Sequence, residues 1–231
     1  MRGWLWWLWL WSFVAVAAEP PYSFREAKAV LRQHVLPLHP QTLYCGCEVR
    51  SEGKKLVPDL AGCGYGVRKQ EERANRVEWE HVVPASDFGQ QRQCWQQGGR
   101  KACSGKDAAF DRFEGDLHNL YPTVGEVNGD RGNFRFGMVS GPAASYGQCT
   151  MRIDFKGRVA EPSPRARGVV ARTSLYIAAK HGLKLSDRQR QLFEAWDRQF
   201  PVAPWECQRN ARIRQLQGDS NSYVARGCRQ D

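Results

Sequence analysis

Glu78-Trp79-Glu80-His81-Val82-Val83-Pro84 is the stretch on which the reading of this chain turns. Its alternation predicts a strand from Arg76 to Val83, because successive strand side chains point to opposite sides. Val77, Trp79 and His81 share one face, and Glu78, Glu80 and Val82 the other. Val83-Pro84 ends the strand, since proline has no N–H to give a ladder. A carboxylate and an imidazole therefore arrive together at a strand end, where side chains reach solvent. Downstream stand Asp116-Leu117-His118-Asn119-Leu120 and Gly125-Glu126-Val127-Asn128. Residues 121–130 read as a short helix despite Gly125, with Val124, Val127 and Asn128 at neighbouring surface positions.

These residue types suit one kind of chemistry. Imidazole is the side chain whose ordinary pKa fits a base near neutral pH, so His81 is the candidate base. Glu80 offers a hard anionic oxygen and Asn128 a neutral one, as Mg²⁺ prefers, with water or substrate filling the other positions. Hydrolysis of a phosphodiester needs an activated water, a stabilised leaving oxygen and neutralised phosphate charge. Spacing alone leaves plainer readings open: a Glu-His pair on a strand is commonly a surface pair, and Asn128-Gly129-Asp130 can be a helix end and turn. His118 reads equally as a ligand, a base or a pin for its loop. His34, His39 and His181 read as structural or solvated.

The bulk composition points outside the cytosol. The chain has 231 residues and a formal charge of +10. Residues 1–18 read as a cleaved signal peptide: Arg2, an apolar run rich in Trp from Trp4 to Val14, then small residues Ala15-Val16-Ala17-Ala18. The run is too short for a membrane span, and no later segment is long and apolar enough for one. Residues 19–231 then suit one domain with a charge of +9, its basic residues spread along the chain as on a surface that attracts a polyanion. All eight cysteines lie there: Cys45, Cys47, Cys63, Cys94, Cys103, Cys149, Cys207 and Cys228. In an exported protein an even count reads as disulfides, with the pairing open, although Cys94 and Cys103 could staple the loop between them. Zinc is disfavoured, because no Cys-x-x-Cys pair occurs.

The remaining elements follow from caps and periodicity. Ser23-Phe24-Arg25-Glu26 is a capping box that opens a helix stopped by Pro37, and Ser186-Asp187-Arg188-Gln189 opens another over 186–200. A helix is expected at about 166–181, ended by Gly182, and a last one from Pro204. Gln148 to Lys156 alternates as a strand, with Cys149, Met151, Ile153 and Phe155 on one face. Thr42 to Val49 reads as extended, and residues 89–107 as a loop rich in Gln, Gly and basic side chains. The total is a mixed α+β fold with more helix than strand.

Several blocks resemble the bacterial endonuclease I family: Glu78 to Ala85, Gln93-Cys94-Trp95-Gln96-Gln97-Gly98-Gly99-Arg100-Lys101, Asp116 to Leu120, and Gly125-Glu126-Val127-Asn128-Gly129-Asp130-Arg131-Gly132-Asn133-Phe134. Ala166-Arg167-Gly168-Val169-Val170-Ala171-Arg172-Thr173 and Trp205-Glu206-Cys207 are similar too. The resemblance runs from the Cys45 region to Cys228. It implies a periplasmic or secreted, non-specific, Mg²⁺-dependent nuclease (other divalent cations remaining possible) with a ββα-metal, HNH-like site. Carried to matching positions, it implies His81 as general base, Glu80 and Asn128 as metal ligands, Arg100 as the phosphate-holding arginine and Asn119 as a structural clamp.

The function expected from all of this is hydrolysis of internal phosphodiester bonds of DNA, with RNA as a further substrate, by a monomer that leaves 5′-phosphate ends. Arg131, Arg135, Arg165 and Arg167 are candidates for a phosphate track, though surface solvation explains any one of them equally well. The alternatives are an exported DNA-binding protein without activity and a nuclease dedicated to RNA. A fold that needs its disulfides would also stay inactive in a reducing cytosol.

Overall fold

The computed structural model describes residues 20–228; the expected signal peptide lies outside them. Helix α1 (Phe24–His34) begins at the expected capping box, with the Ser23 and Glu26 side chains each bonded to the other's backbone N–H. A 3₁₀ turn (Leu36–Leu38) follows. The next segment, expected to be extended, is instead a set of turns around Cys45 and Cys47 that leads into the hairpin β1 (Val49–Glu52) and β2 (Lys55–Pro58). That hairpin was hidden because its exposed face is fully polar and its loop is only Gly53-Lys54, a two-residue turn that uses glycine at φ 58°.

Short helix α2 (Glu71–Ala74) precedes β3 (Val77–His81), the expected strand. Four helices come next: α3 (Ala85–Gly89), α4 (Gln93–Gly98), α5 (Arg100–Cys103) and α6 (Ala108–Glu114). The segment 89–107 is therefore not a loop. It is two short helices joined at Gly99, whose φ of 65° and ψ of −150° suit only glycine, and closed by the Cys94–Cys103 disulfide. A 3₁₀ turn (Leu117–Asn119) runs into β4 (Leu120–Val124), and α7 (Gly125–Arg131) follows at once.

β3 and β4 pair antiparallel, from Val77 opposite Val124 to His81 opposite Leu120. The first half of the expected 121–130 helix is thus a strand. All five β4 residues are buried, so no alternation marks it. Pro122 is tolerated because its backbone faces away from β3, where its C=O accepts from Leu43 N–H at 2.8 Å.

A second sheet has the order β5-β8-β7-β6, from β5 (Arg135–Phe136), β6 (Ala144–Tyr146), β7 (Cys149–Asp154) and β8 (Val159–Glu161). Cys149, Met151 and Ile153 of β7 point into the core, whereas Phe155, expected to continue that face, lies past the strand end and is exposed. The C-terminal part is helical: α8 (Pro164–His181), α9 (Asp187–Gln199), α10 (Pro204–Gln217) and α11 (Ser222–Ala225). Most of α8 is buried between the β3–β4 pair, the second sheet and α9. Disulfides Cys45–Cys149, Cys47–Cys63 and Cys207–Cys228 complete the pairing. The result is a helix-rich α+β fold in which β3, β4 and α7 are consecutive in space.

Candidate active site

Glu80 and His81 end β3 on opposite faces, as strand geometry requires. On the α7 side, Glu80 is 2 % exposed. Its Oε1 accepts from the Tyr44 hydroxyl at 2.7 Å and from Arg131 Nη1 at 3.0 Å. Burial pushes its carboxyl up, and the Arg131 charge opposes that. Arg131 also donates to the carbonyls of His81 (2.9 Å) and Val82 (2.7 Å), so it ties the end of β3 to α7.

Asn128 lies one helical turn before Arg131, on the same face of α7. Its Nδ2 donates to Glu78 Oε2 at 2.7 Å. Glu78 also accepts from Arg73 and Arg76. Burial raises the Glu78 carboxyl, but these donors outweigh it and hold the group below its usual range. Glu80 Oε2 and Asn128 Oδ1 take part in none of these bonds. One hard oxygen at the end of β3 and one on the neighbouring α7 are thereby outside these bonds, and donors of this type fit a Mg²⁺-like cation whose other positions go to water or substrate. Among the described residues, no group of three or more His, Cys, Asp and Glu side chains converges as a closed metal cage.

On the other face, His81 Nε2 lies 2.8 Å from the Glu114 carbonyl oxygen. A carbonyl can only accept, so Nε2 carries the proton and Nδ1 keeps its lone pair. Burial pushes the imidazole pKa down to about 3; the Glu114 bond opposes this, and the charges of Arg100, Arg131 and Lys28 add to it. The ring is therefore neutral at physiological pH, with the Nδ1 lone pair available but with a lower proton affinity than a free imidazole. Phe24 of α1 packs against it at 4.8 Å between centroids.

Arg100 reaches the same place from α5. Its Nε donates to the Glu114 carboxylate, which also accepts from Ser104 Oγ at 3.0 Å. Its guanidinium lies 4.8 Å from the Phe24 ring centroid, and its side chain remains 44 % exposed. Glu114 thus serves both partners, orienting Arg100 with its side chain and His81 with its backbone. Arg92, bidentate to Asp107, holds the α4–α5 segment in place.

Asn119 is completely buried, with Oδ1 accepting from Val83 N–H at 2.8 Å and Nδ2 donating to Val83 O at 2.9 Å. This reciprocal pair fastens the chain leaving β3 to the turn entering β4. His118 is not joined to the site. It is buried beside Asp219, in a network where Asp116 binds Lys180 and His181. His34 meets Arg212 and His39 stacks on Trp205.

The arginine track read from the sequence is corrected in two places. Arg131 is 1 % exposed and faces Glu80, and Arg167 is paired with Glu161 at 2.7 Å. Arg135 and Arg165 are exposed, bonded to Gly157 O and to Gln41 respectively. Sequence reasoning missed Glu114, Tyr44 and the true role of Arg131. Only Arg131 carried a usable signal, its i+3 spacing from Asn128.

The Endonuclease I family model matches residues 27–228. The chain is 54 % identical over 207 residues to an extracellular deoxyribonuclease of Aeromonas hydrophila, covering 89 % of this chain and 90 % of that one. It is 52 % identical over 212 residues to a periplasmic deoxyribonuclease of the same organism, with 91 % and 89 % covered. An endonuclease-1 of Buchnera aphidicola subsp. Acyrthosiphon pisum (strain APS) is 49 % identical over 189 residues, with 82 % and 75 % covered. These matches make the chain a nuclease. More narrowly, it belongs to the endonuclease I family. Extracellular and periplasmic relatives, together with four disulfides, mark it as an exported protein.

Proposed function

We propose that this protein is an endonuclease that hydrolyses internal phosphodiester bonds of DNA without sequence preference, dependent on a divalent cation such as Mg²⁺ and leaving 5′-phosphate ends. The observation that carries the reading is the His81 arrangement: Nε2–H is committed to Glu114 O, so Nδ1 is the base. His81 takes a proton from the water that attacks phosphorus. Arg100, held by Glu114 yet half exposed, neutralises the non-bridging phosphate oxygens with a guanidinium suited to paired contacts. Glu80 Oε2 and Asn128 Oδ1 are the oxygens that would hold the cation, in a β3–β4–α7 unit of ββα-metal type. Bound there, it supplies charge stabilisation for the departing 3′ oxygen.

Tyr44 and Arg131 fix the Glu80 carboxylate on the α7 side of β3, and Asn119 keeps the end of β3 registered against β4. Names of the relatives support DNA as substrate. Binding through phosphates carries no sequence information and admits RNA as a second substrate. Supercoiled plasmid incubated with oxidised protein and Mg²⁺ should be nicked and linearised, with ends that a ligase rejoins directly, and chelator should abolish cleavage. Plasmid left intact with Mg²⁺ would sink the reading. Structured RNA in a parallel reaction ranks the two substrates.

A further inference from the structure

A groove of about 710 Å³ runs between α1, the β1–β2 hairpin and the outer side of β3. Among the described residues that line it, Lys28, Arg32, Lys54, Lys55 and Arg76 are cationic, Arg76 being paired with Glu78, and Glu72 alone is anionic. Its floor includes Val77 and Trp79, which share the β3 face of His81. Surface charge so one-sided is costly to a monomer through self-repulsion, and it suits a polyanion.

Continuity with the site makes this more than a charged patch. Phe24 packs on the His81 ring with centroids 4.8 Å apart, while the Arg100 guanidinium lies 4.8 Å and Lys28 Nζ 4.5 Å from the centroid of the Phe24 ring. One aromatic ring therefore joins the phosphate-holding arginine to the first lysine of the groove. Phe24, Lys28 and Arg32 follow one another at i, i+4 and i+8, a single stripe on α1. At about 1.5 Å of rise per residue the stripe extends roughly 12 Å, the axial length of three to four nucleotides in a duplex strand at about 3.4 Å each. At its far end Arg32 donates to Lys54 O at 2.6 Å and Gly53 O at 3.0 Å. The hairpin turn is thereby fixed beside α1, with the Lys54 and Lys55 side chains exposed at the groove. Glu52 stands opposite Lys55 in the hairpin register, an exposed pair worth little against a bound phosphate chain.

We propose that this groove is a phosphate track, which leads one strand of the nucleic acid away from the His81–Arg100 site along α1 to the β1–β2 turn. The proposal rests on the nuclease reading above and adds a binding site for the strand flanking the scissile phosphate. Lys28, Lys54 and Lys55 contact phosphates, whereas Arg32 sets their spacing through the hairpin carbonyls.

The test is equilibrium binding of a duplex oligonucleotide between 50 and 200 mM salt, with chelator present and in a His81→Ala background so that the duplex survives. Each phosphate contact contributes about 0.9 to the slope of log K against log salt. Lys28→Gln/Lys54→Gln/Lys55→Gln should therefore flatten the slope by about 2.7, and Lys28→Gln alone by about 0.9. Across that fourfold range the parent's advantage over the triple variant should shrink about fortyfold. Lys184→Gln/Arg188→Gln/Arg190→Gln removes the same charge from exposed positions at the α8–α9 connection and should leave the slope as in the parent. Equal flattening by both triple variants, or by neither, overturns the track. A parent that binds no duplex at low salt overturns the track and the nuclease reading together.

Discussion

Arg131→Met should destabilise the protein strongly while leaving its external charge pattern almost intact. The guanidinium is buried, accepts no help from solvent, and makes three bonds: one to Glu80 and two to the carbonyls of His81 and Val82. Methionine fills a similar volume and lies as well over Phe136, which now sits 4.3 Å from the guanidinium carbon. What is lost is therefore mainly electrostatic. Glu80 would stay buried with Tyr44 as its one remaining donor among the described residues, and two carbonyls would lose the Arg131 bond. Breaking a buried pair from one side costs about 3–5 kcal/mol. For a domain of this length that corresponds to a fall in Tm of roughly 6–20 °C. Arg131→Lys should recover little, because an ammonium cannot span the carboxylate and both carbonyls in one plane. Thermal unfolding followed by circular dichroism without reductant measures this directly. A variant that melts within about 2 °C of the parent but binds duplex DNA more weakly would refute the reasoning and return Arg131 to the substrate surface.

Three further outcomes follow from the same geometry. Glu114→Gln keeps the carbonyl that fixes His81 but weakens the hold on Arg100, a charge-assisted bond worth about 1.5–3 kcal/mol; the saturated cleavage rate should fall about tenfold to a hundredfold, and an unchanged rate would show that Arg100 needs no anchor. Reduction should inactivate the enzyme, because Cys45–Cys149 closes a separation of 104 residues and its neighbour Tyr44 holds Glu80. The model for such a loop gives about 4.7 kcal/mol, and equal plasmid cleavage by reduced and oxidised protein would contradict it.

Acid should also weaken the fold. His118 is pushed down to about 4, chiefly by burial, whereas an unfolded histidine has a pKa of about 6.5. The unfolded state then binds more protons below pH 6.5, so this contribution is complete above that pH and drains away toward pH 4. Asp116 is also buried, but His181 and Lys180 hold it well below the usual carboxylate range, so its share is lost only in stronger acid. Urea titrations from pH 7 to 4 should show His118→Gln losing stability less steeply than the parent, by up to about 1.4 kcal/mol per pH unit; parallel slopes would count against it.

Much of the fold was legible because its signals are local. Ser23 with Glu26 announced α1, Ser186 announced α9, and the apolar alternation of Cys149, Met151 and Ile153 announced β7. β4 was illegible for a physical reason: it is buried on both faces and contains Pro122, so neither alternation nor composition marks it. Gln-rich α4 and the short α5 are held by a disulfide and by Arg92–Asp107, not by helical periodicity. In the candidate site, Glu80 and His81 were visible as neighbours on a strand. Their partners were not. Tyr44, Glu114 and Arg131 lie 36, 33 and 51 positions away from the residues they bond, and such contacts exist only once β3 is enclosed by other elements.

The proposed mechanism depends on His81 as the base. Cleavage of supercoiled plasmid by His81→Ala and by the parent, both oxidised and supplied with Mg²⁺, tests it most directly, with imidazole added to the variant in a second arm. Removing a positioned general base should slow cleavage about 10²–10⁴-fold, with partial recovery on added imidazole. A variant that cleaves within about threefold of the parent, far short of that loss, would contradict His81 as the base.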